Sequence, residues 1–410
     1  MIATVDRLAE LILESKLLPS DRQAALPELQ RKHAKPYLLA KELLDRAWLT
    51  DYQLEEIIKG RGQDLVLGAY ALLEVVGKGA MGTVFKAQRR PDGGIVALKI
   101  VREDRRGDTQ ALLRFRREVL AVSQMSHPNI VAACDADEVG VTHYYAMEFV
   151  DGVNLDVLIR RVKHLPVGPA CDYLRQAALG LQHAQDRSLI HRDIKPGNLM
   201  ITTANGQQSR WGTVKILDLG LVRLEQKPAH MDMGTQLTRT GLSLGTVDYM
   251  APEQVEDPHA VDIRADLYSL GCTFYEMLTG QPPFPKGTPV DKLVAHRTKQ
   301  AEDVRTLQAE VPDEVAAVVT KLLAKEPGDR YQAPSDLAAE MEKILANLAP
   351  ELRPAGWKPP TAPESDDEPA APAPAEPPAD PSNINVMLPY YILGAVMFIL
   401  TIWVVMSYVQ

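Results

Sequence analysis

The densest chemistry in the chain lies in HRDIKPGNLM, residues 191–200. Asp193 can accept a proton from a hydroxyl, Lys195 can neutralise a phosphoryl group in transfer, and Asn198 can offer its amide oxygen to Mg²⁺. The apolar residues before and after this stretch read as buried anchors that hold the polar ones at a rigid edge. Five fixed residues at roughly 5% usage each would produce HRDxKxxN by chance in only about one in ten thousand chains of this length. Three further features could belong with it. Gly77, Gly79 and Gly82 form GxGxxG, which alone recurs by chance in roughly one chain in ten. The flanking residues alternate as strands do, and missing side chains would let such a turn lie close over phosphate oxygens. A dinucleotide site would instead want a helix after the glycines. Lys99 sits in the apolar run IVALKIV, where a lone charge usually faces outward. Asp218 follows the apolar run VKIL.

These residues need elements to hold them, and 410 residues suggest two or three structural units. The net charge of -9 leaves no sustained basic stripe for a nucleic-acid backbone. The one basic cluster, residues 99–107, is interrupted by acids and reads as a solvated loop. Cys134, Cys171 and Cys272 are far apart with no CxxC pair, which fits a reducing compartment without disulfides or structural zinc. Residues 1–64 read as a small helical module, with helices near Val5–Leu18 and Pro36–Ala47 and a third opening at Thr50. Thr50 and Gln53 have capping-box spacing, and Gly60 falls near the C-cap. Docking on the next domain and binding a partner are both open to this module. Asn205-Gly206 marks a hairpin turn whose arms are long, with no function evident for the excess.

Beyond Leu348 the chain turns to Pro, Ala and acids, so 349–387 reads as a coreless, disordered linker able to reach about 100 Å. Residues 388–409 carry no charge. As a helix they would measure about 33 Å against a hydrocarbon core of about 30 Å, and they read as a single membrane span. Tyr390, Tyr391, Trp403 and Tyr408 near its ends suit an aromatic belt. Met1 is followed by an amphipathic helix rather than a signal peptide.

Taken in order, ALLEVVGKGAMGTVFKA, VALK, SHPNIV, YYAMEFVDG, HRDIKPGN, DLG, APE and DIRADLYSLG over residues 70–348 resemble the eukaryotic-type (Hanks-type) bacterial serine/threonine protein kinases. The Lys at 195 resembles the serine/threonine class, and LTDYQLEEIIKGRGQDLVLGAYALLE resembles the opening of the planctomycete-type members. DLG stands where DFG is more familiar. The fold implied is α+β: a small β-rich N-lobe and a larger helical C-lobe, preceded by the helical module and followed by linker and span.

The resemblance also implies roles. Lys99 would grip the α- and β-phosphates and pair with Glu118. The turn Gly77, Lys78, Gly79, Ala80, Met81, Gly82 would cover the phosphates. Val84, Ala97 and Met200 would sandwich the adenine, with Met147 as gatekeeper and the backbone of Glu148 and Val150 on the base edge; for each apolar residue alone, core packing is the simpler reading. Asn198 and Asp218 would hold Mg²⁺, or Mn²⁺, on ATP, while Asp193 and Lys195 act at the transferred group. His191, Arg192, Thr246, Glu253, Asp266 and Arg330 would be structural support, with Thr246 bonded to Asp193 and Lys195 and Arg330 paired with Glu253. Arg192 before Asp193 implies a phosphorylation switch, with Thr238, Thr240 and Ser243 as candidate sites. Protein substrates, a homodimer for trans-autophosphorylation and a cytoplasmic kinase domain anchored to the cell membrane by its C-terminus follow. The alternative is a pseudokinase or nucleotide-binding scaffold, for which no catalytic residue is missing.

Overall fold

The computed structural model describes residues 4–79, 82–101, 125–140, 142–203, 210–218, 246–256 and 261–360. Thr4 Oγ1 accepts the Arg7 amide and so starts α1 (Val5–Glu14). α2 (Ser20–Lys32) and α3 (Pro36–Asp45) follow, and α4 (Asp51–Ile58) opens with a complete capping box at Thr50 and Gln53. α2 adds to the three helices expected from sequence. It buries only Leu26 and Leu29 and carries Pro27 inside, so its apolar period is too short to register. Leu8, Ile12, Leu39, Leu43 and Ile57 share one apolar cluster with Leu72, Phe85, Leu98 and Ala146 from the sheet that comes next. The module therefore docks on its neighbour, with each buried Leu or Ile contributing about 1.5–3 kcal/mol of burial free energy.

That sheet has six strands: β1 (Val66–Leu67), β2 (Tyr70–Gly79), β3 (Gly82–Arg89), β4 (Ile95–Val101), β5 (Ala133–Val139) and β6 (Thr142–Glu148), in the order β1-β2-β3-β4-β6-β5 with every neighbour antiparallel. Side chains alternate between its faces. The register partners Phe85, Leu98 and Ala146 face the helical module. Val84, Lys99 and Tyr145 are partners on the opposite face, as are Ala97 and Met147. Ala97, Val131, Tyr145 and Met147 form a small separate cluster there, with Val84, Val150 and Leu217 packed against it.

Below lies a helical lobe. β7 (Val153–Asn154), α5 (Leu155–Val162) and α6 (Val167–Gln185) lead to β8 (Leu199–Thr202) and β9 (Thr213–Ile216), which with β7 make a three-stranded sheet. α7 (Pro252–Glu256), α8 (Ile263–Thr279), α9 (Pro289–Thr298), α10 (Val304–Leu307), α11 (Asp313–Leu322) and α12 (Pro334–Asn347) complete it. Every residue of α8 from Ala265 to Leu278 is buried, the mark of a central core helix. Asp262 caps its start, and Gly280, at φ 80°, closes its end in the left-handed region.

The residues after α12 depart from the linker expected to begin at 349. Pro350–Leu352 form a 3-10 turn, Trp211 Nε1 donates to Pro354 O at 3.0 Å, and the Trp357 ring sits 6.2 Å from that of Tyr173. A Cβ on Gly168 would stand 2.6 Å from Leu352 O, so that glycine makes room for this segment. Trp211 and Tyr173 of the lower lobe thus give residues 349–360 a surface to pack on. The rest of the linker and the expected span at 388–409 lie outside the described residues. Among the described residues no helix is long and apolar enough to cross a membrane.

Candidate active site

Asp266 organises the loop from below. Fully buried on α8, it accepts the amides of His191 and Arg192, both at 2.7 Å. Burial pushes its pKa up, and those two amides pull the other way. Arg192 is held at φ 68°, a conformation a non-glycine residue adopts only when its surroundings impose it. The Asp193 amide donates to His191 Nδ1 at 3.2 Å, so Nδ1 is the unprotonated nitrogen and Nε2–H donates to Leu217 O at 2.7 Å. One neutral histidine thereby ties the loop to the residue just before Asp218.

On the loop itself, Lys195 Nζ lies 3.0 Å from Asp193 Oδ1 and 2.8 Å from Oδ2, and 2.9 Å from Thr246 Oγ1. Lys195 is the bridge between Asp193 and Thr246. Asn198 Nδ2 donates to Asp193 O at 2.7 Å and to Oδ2 at 2.9 Å, which leaves the Asn198 amide oxygen as the acceptor of the pair. Asn198 stands immediately before β8 and Asp218 two residues after β9, so one hairpin carries both. Leu217 N donates to Asn198 O at 2.9 Å and closes its open end.

Asp218 meets the upper lobe. Lys99 Nζ lies 2.6 Å from its Oδ2, and the Tyr145 hydroxyl donates to its Oδ1. Burial opposes ionisation of Asp218, but Lys99 and Tyr145 outweigh it and hold the carboxyl below its ordinary pKa. Burial, and then Asp218, push the Tyr145 phenol well above its own. Asp218 is also left-handed, at φ 52°. Tyr145 has no place in the sequence reading, where a tyrosine in an apolar strand reads as core. Its signal was available only as register: it lies directly opposite Lys99.

Other expected positions fall around this centre. Gly77 and Gly79 end β2 opposite Val84 and Gly82, with Lys78 opposite Thr83. A Cβ at Gly77 would meet nothing within 4 Å and one at Gly79 only Gly82 O at 4.0 Å, so among the described residues no neighbour demands either glycine. Val84, Ala97, Met147 and Val150 gather in the small cluster on the cleft face, and Met200 lies on β8 opposite Lys215. Lys215 Nζ pairs with the Glu148 carboxylate at 2.8 Å, fastening the upper sheet's last strand to the lower hairpin. Arg330 reaches Glu253 through Nη1 and Nη2 at 2.6 and 2.9 Å and spends its remaining donors on the carbonyls of Ala324, Arg264 and Lys325. Ala80, Met81, Glu118, Thr238, Thr240 and Ser243 lie outside the described residues.

The stretch SHPNIV, residues 126–131, is tied into the lower lobe. Asn129 Nδ2 donates to Gln176 Oε1 and Val214 O at 3.0 and 2.9 Å, and Ile130 bridges to Ile216. Buried Gln176 completes the seam by accepting from Val214 N at 2.9 Å. These two amides were unremarkable in sequence, since only the fold brings them together.

A β-sheet lobe set over a helical lobe, with a lysine and an aspartate paired at the seam and an HRD loop beneath, is the protein kinase architecture. The protein kinase domain family matches residues 70–341. The serine/threonine-protein kinase PknB of Mycolicibacterium smegmatis is 37% identical over 290 residues, which span 69% of this chain and 44% of that protein. PknB of Mycobacterium tuberculosis is 35% identical over 286 residues, with the same two shares. The kinase domain of Mycobacterium tuberculosis PknI, crystallised as a cysteine-to-alanine mutant, superposes with a TM-score of 0.51 at 25% identity, over 68% of this chain and 97% of that one. The chain belongs to the protein kinase family, within its Hanks-type bacterial serine/threonine group. It spans less than half the length of the curated relatives it matches.

Proposed function

We propose that this protein transfers the γ-phosphoryl group of ATP to serine and threonine hydroxyls of proteins. The observation that carries the reading is the loop in which Lys195 bridges Asp193 and Thr246 while Asn198 braces Asp193 from the other side. Asp193 would orient the acceptor hydroxyl and take its proton as the new oxygen–phosphorus bond forms. The bond between the γ-phosphorus and the β–γ bridging oxygen breaks, and ADP leaves with that electron pair. Lys195 would steady the charge on the group in flight. Lys99, now on Asp218, is positioned to exchange part of that pairing for phosphate oxygens. The donor set of one carboxylate and one amide oxygen, Asp218 and Asn198, fits a Mg²⁺ ion that takes its other ligands from phosphates and water. When bound, Mg²⁺ or Mn²⁺ would neutralise charge on the β- and γ-phosphates. Catalysis of this kind is positioning and charge neutralisation.

The same reading includes autophosphorylation at Thr238, Thr240 or Ser243, in trans between two copies, and anchoring in a membrane through residues 388–409 with the kinase on the cytoplasmic face. Uncharged residues over 388–409 and the hydroxyl-rich run before APE support these parts. Phosphosite mapping of the full chain in detergent with Mg-ATP, beside Asp193→Asn and Asp218→Asn, tests the whole. Phosphate on the 238–243 hydroxyls and on an added protein substrate in wild type only is the expected result. Nucleotide binding without any transfer would favour the pseudokinase scaffold instead.

A further inference from the structure

Each side chain of the α4 capping box makes two hydrogen bonds, one within the cap and one to the sheet. Thr50 Oγ1 accepts the Gln53 amide at 3.2 Å and donates to Leu73 O at 2.5 Å. Gln53 Oε1 accepts the Thr50 amide at 3.0 Å, and its Nε2 donates to Leu72 O at 2.7 Å. Leu72 and Leu73 sit at a defect in β2: Leu72 pairs with Ala87 and Glu74 with Lys86, so Leu73 is the extra residue of a bulge. A bulge re-aims the strand beyond it, and four residues beyond, past a second register shift between Val75 and Gly77, lies Gly77, where the nucleotide-covering turn begins. The same helix start also reaches the returning strand, where the Tyr52 ring packs 6.0 Å from Phe85 on β3, next to Val84. Gln53 is 4% exposed, so its bonds to β2 are made away from water, where they hold position well. A cap needed only for α4 would have no use for either bond to the sheet.

We propose that Thr50 and Gln53 are positioning residues for the glycine-bearing strand ends, Gly77–Gly79 of β2 and Gly82 of β3. Through them the N-terminal helical module sets the β2 bulge, the aim of the glycine-rich hairpin and thus the affinity for the nucleotide phosphates. The proposal rests on the phosphotransfer reading above. It makes the module a part of the nucleotide site, reached from the far side of the sheet.

The test is a titration of the full chain with Mg-ADP, followed by KM for ATP and kcat. Thr50→Asp keeps the acceptor that caps α4 but removes the donor to Leu73 O, whereas Thr50→Ser keeps both. The expected result is a weakening of Mg-ADP binding and a rise in KM for ATP of about three- to tenfold in Thr50→Asp and Gln53→Ala. In both variants kcat at saturating ATP stays within about twofold of wild type, and Thr50→Ser binds like wild type. Folded Thr50→Asp and Gln53→Ala proteins that bind Mg-ADP as tightly as wild type would overturn the proposal, whatever their melting temperatures. Should Gln53→Ala not fold, the Thr50 pair decides alone. A wild type that binds Mg-ADP but transfers no phosphate would count against the catalytic reading, and the affinity comparison would still decide this one.

Discussion

Asp266 shows what a buried carboxylate can be kept for. It gives up water, and the two amides it collects fix a strained turn in the backbone at Arg192. Asp266→Ala should cost about 2–4 kcal/mol in urea unfolding, because both amides then lose their partner inside the protein. Glu276 is a second buried acid on the same helix. Burial, against a hydrogen bond from Tyr249 and with Asp156 and Asp248 nearby, lifts its pKa from 4.5 to about 7. The folded state therefore holds a proton that the unfolded chain releases between pH 4.5 and 7, and stability falls as pH rises through that window. Glu276→Gln should match wild type near pH 4.5 and be more stable at pH 8 by up to about 3 kcal/mol, read from denaturant midpoints at both pH values. At this scale Asp193, Lys195, Asn198 and Asp218 were legible because their chemistry and spacing are unusual. Tyr145, Asn129 and Gln176 were not, because an ordinary side chain becomes special only through what the fold sets across from it.

Elements were legible where one strong local pattern repeats. The alternation of β2 to β4 and the Thr50–Gln53 spacing could be read directly, whereas α2, with two buried leucines and an internal proline, could not. The overlong β8–β9 hairpin was visible but unexplained. Its partner lies 143 residues away in sequence, where Pro354 accepts from Trp211. Gly168→Ala should push Leu352 aside, since the new Cβ would stand 2.6 Å from its carbonyl oxygen. The expected outcome is faster amide exchange over residues 349–357, with exchange in α8 unchanged.

At the level of the molecule, one six-stranded sheet faces two ways, toward the helical module and toward the nucleotide cleft. Removing residues 1–64 bares Leu72, Phe85, Leu98 and Ala146 together. The shortened chain should lose N-lobe protection from exchange and self-associate in analytical ultracentrifugation, because so large an apolar face does not stay exposed. Kinase motifs gave away the two lobes long before the contact between module and sheet could be inferred, since motifs are local and docking is not.

The packing of residues 349–360 on the C-lobe also defines a path for mechanical load. Tension on the chain beyond residue 360 meets Trp357 and Pro354 before it meets α12. It passes through Trp211 into the end of the β8–β9 hairpin where Thr202 pairs with Thr213. The other end of that hairpin carries Asn198 and Asp218. A pull on the tail is thus delivered toward the seam between the lobes, along the small sheet of β7, β8 and β9.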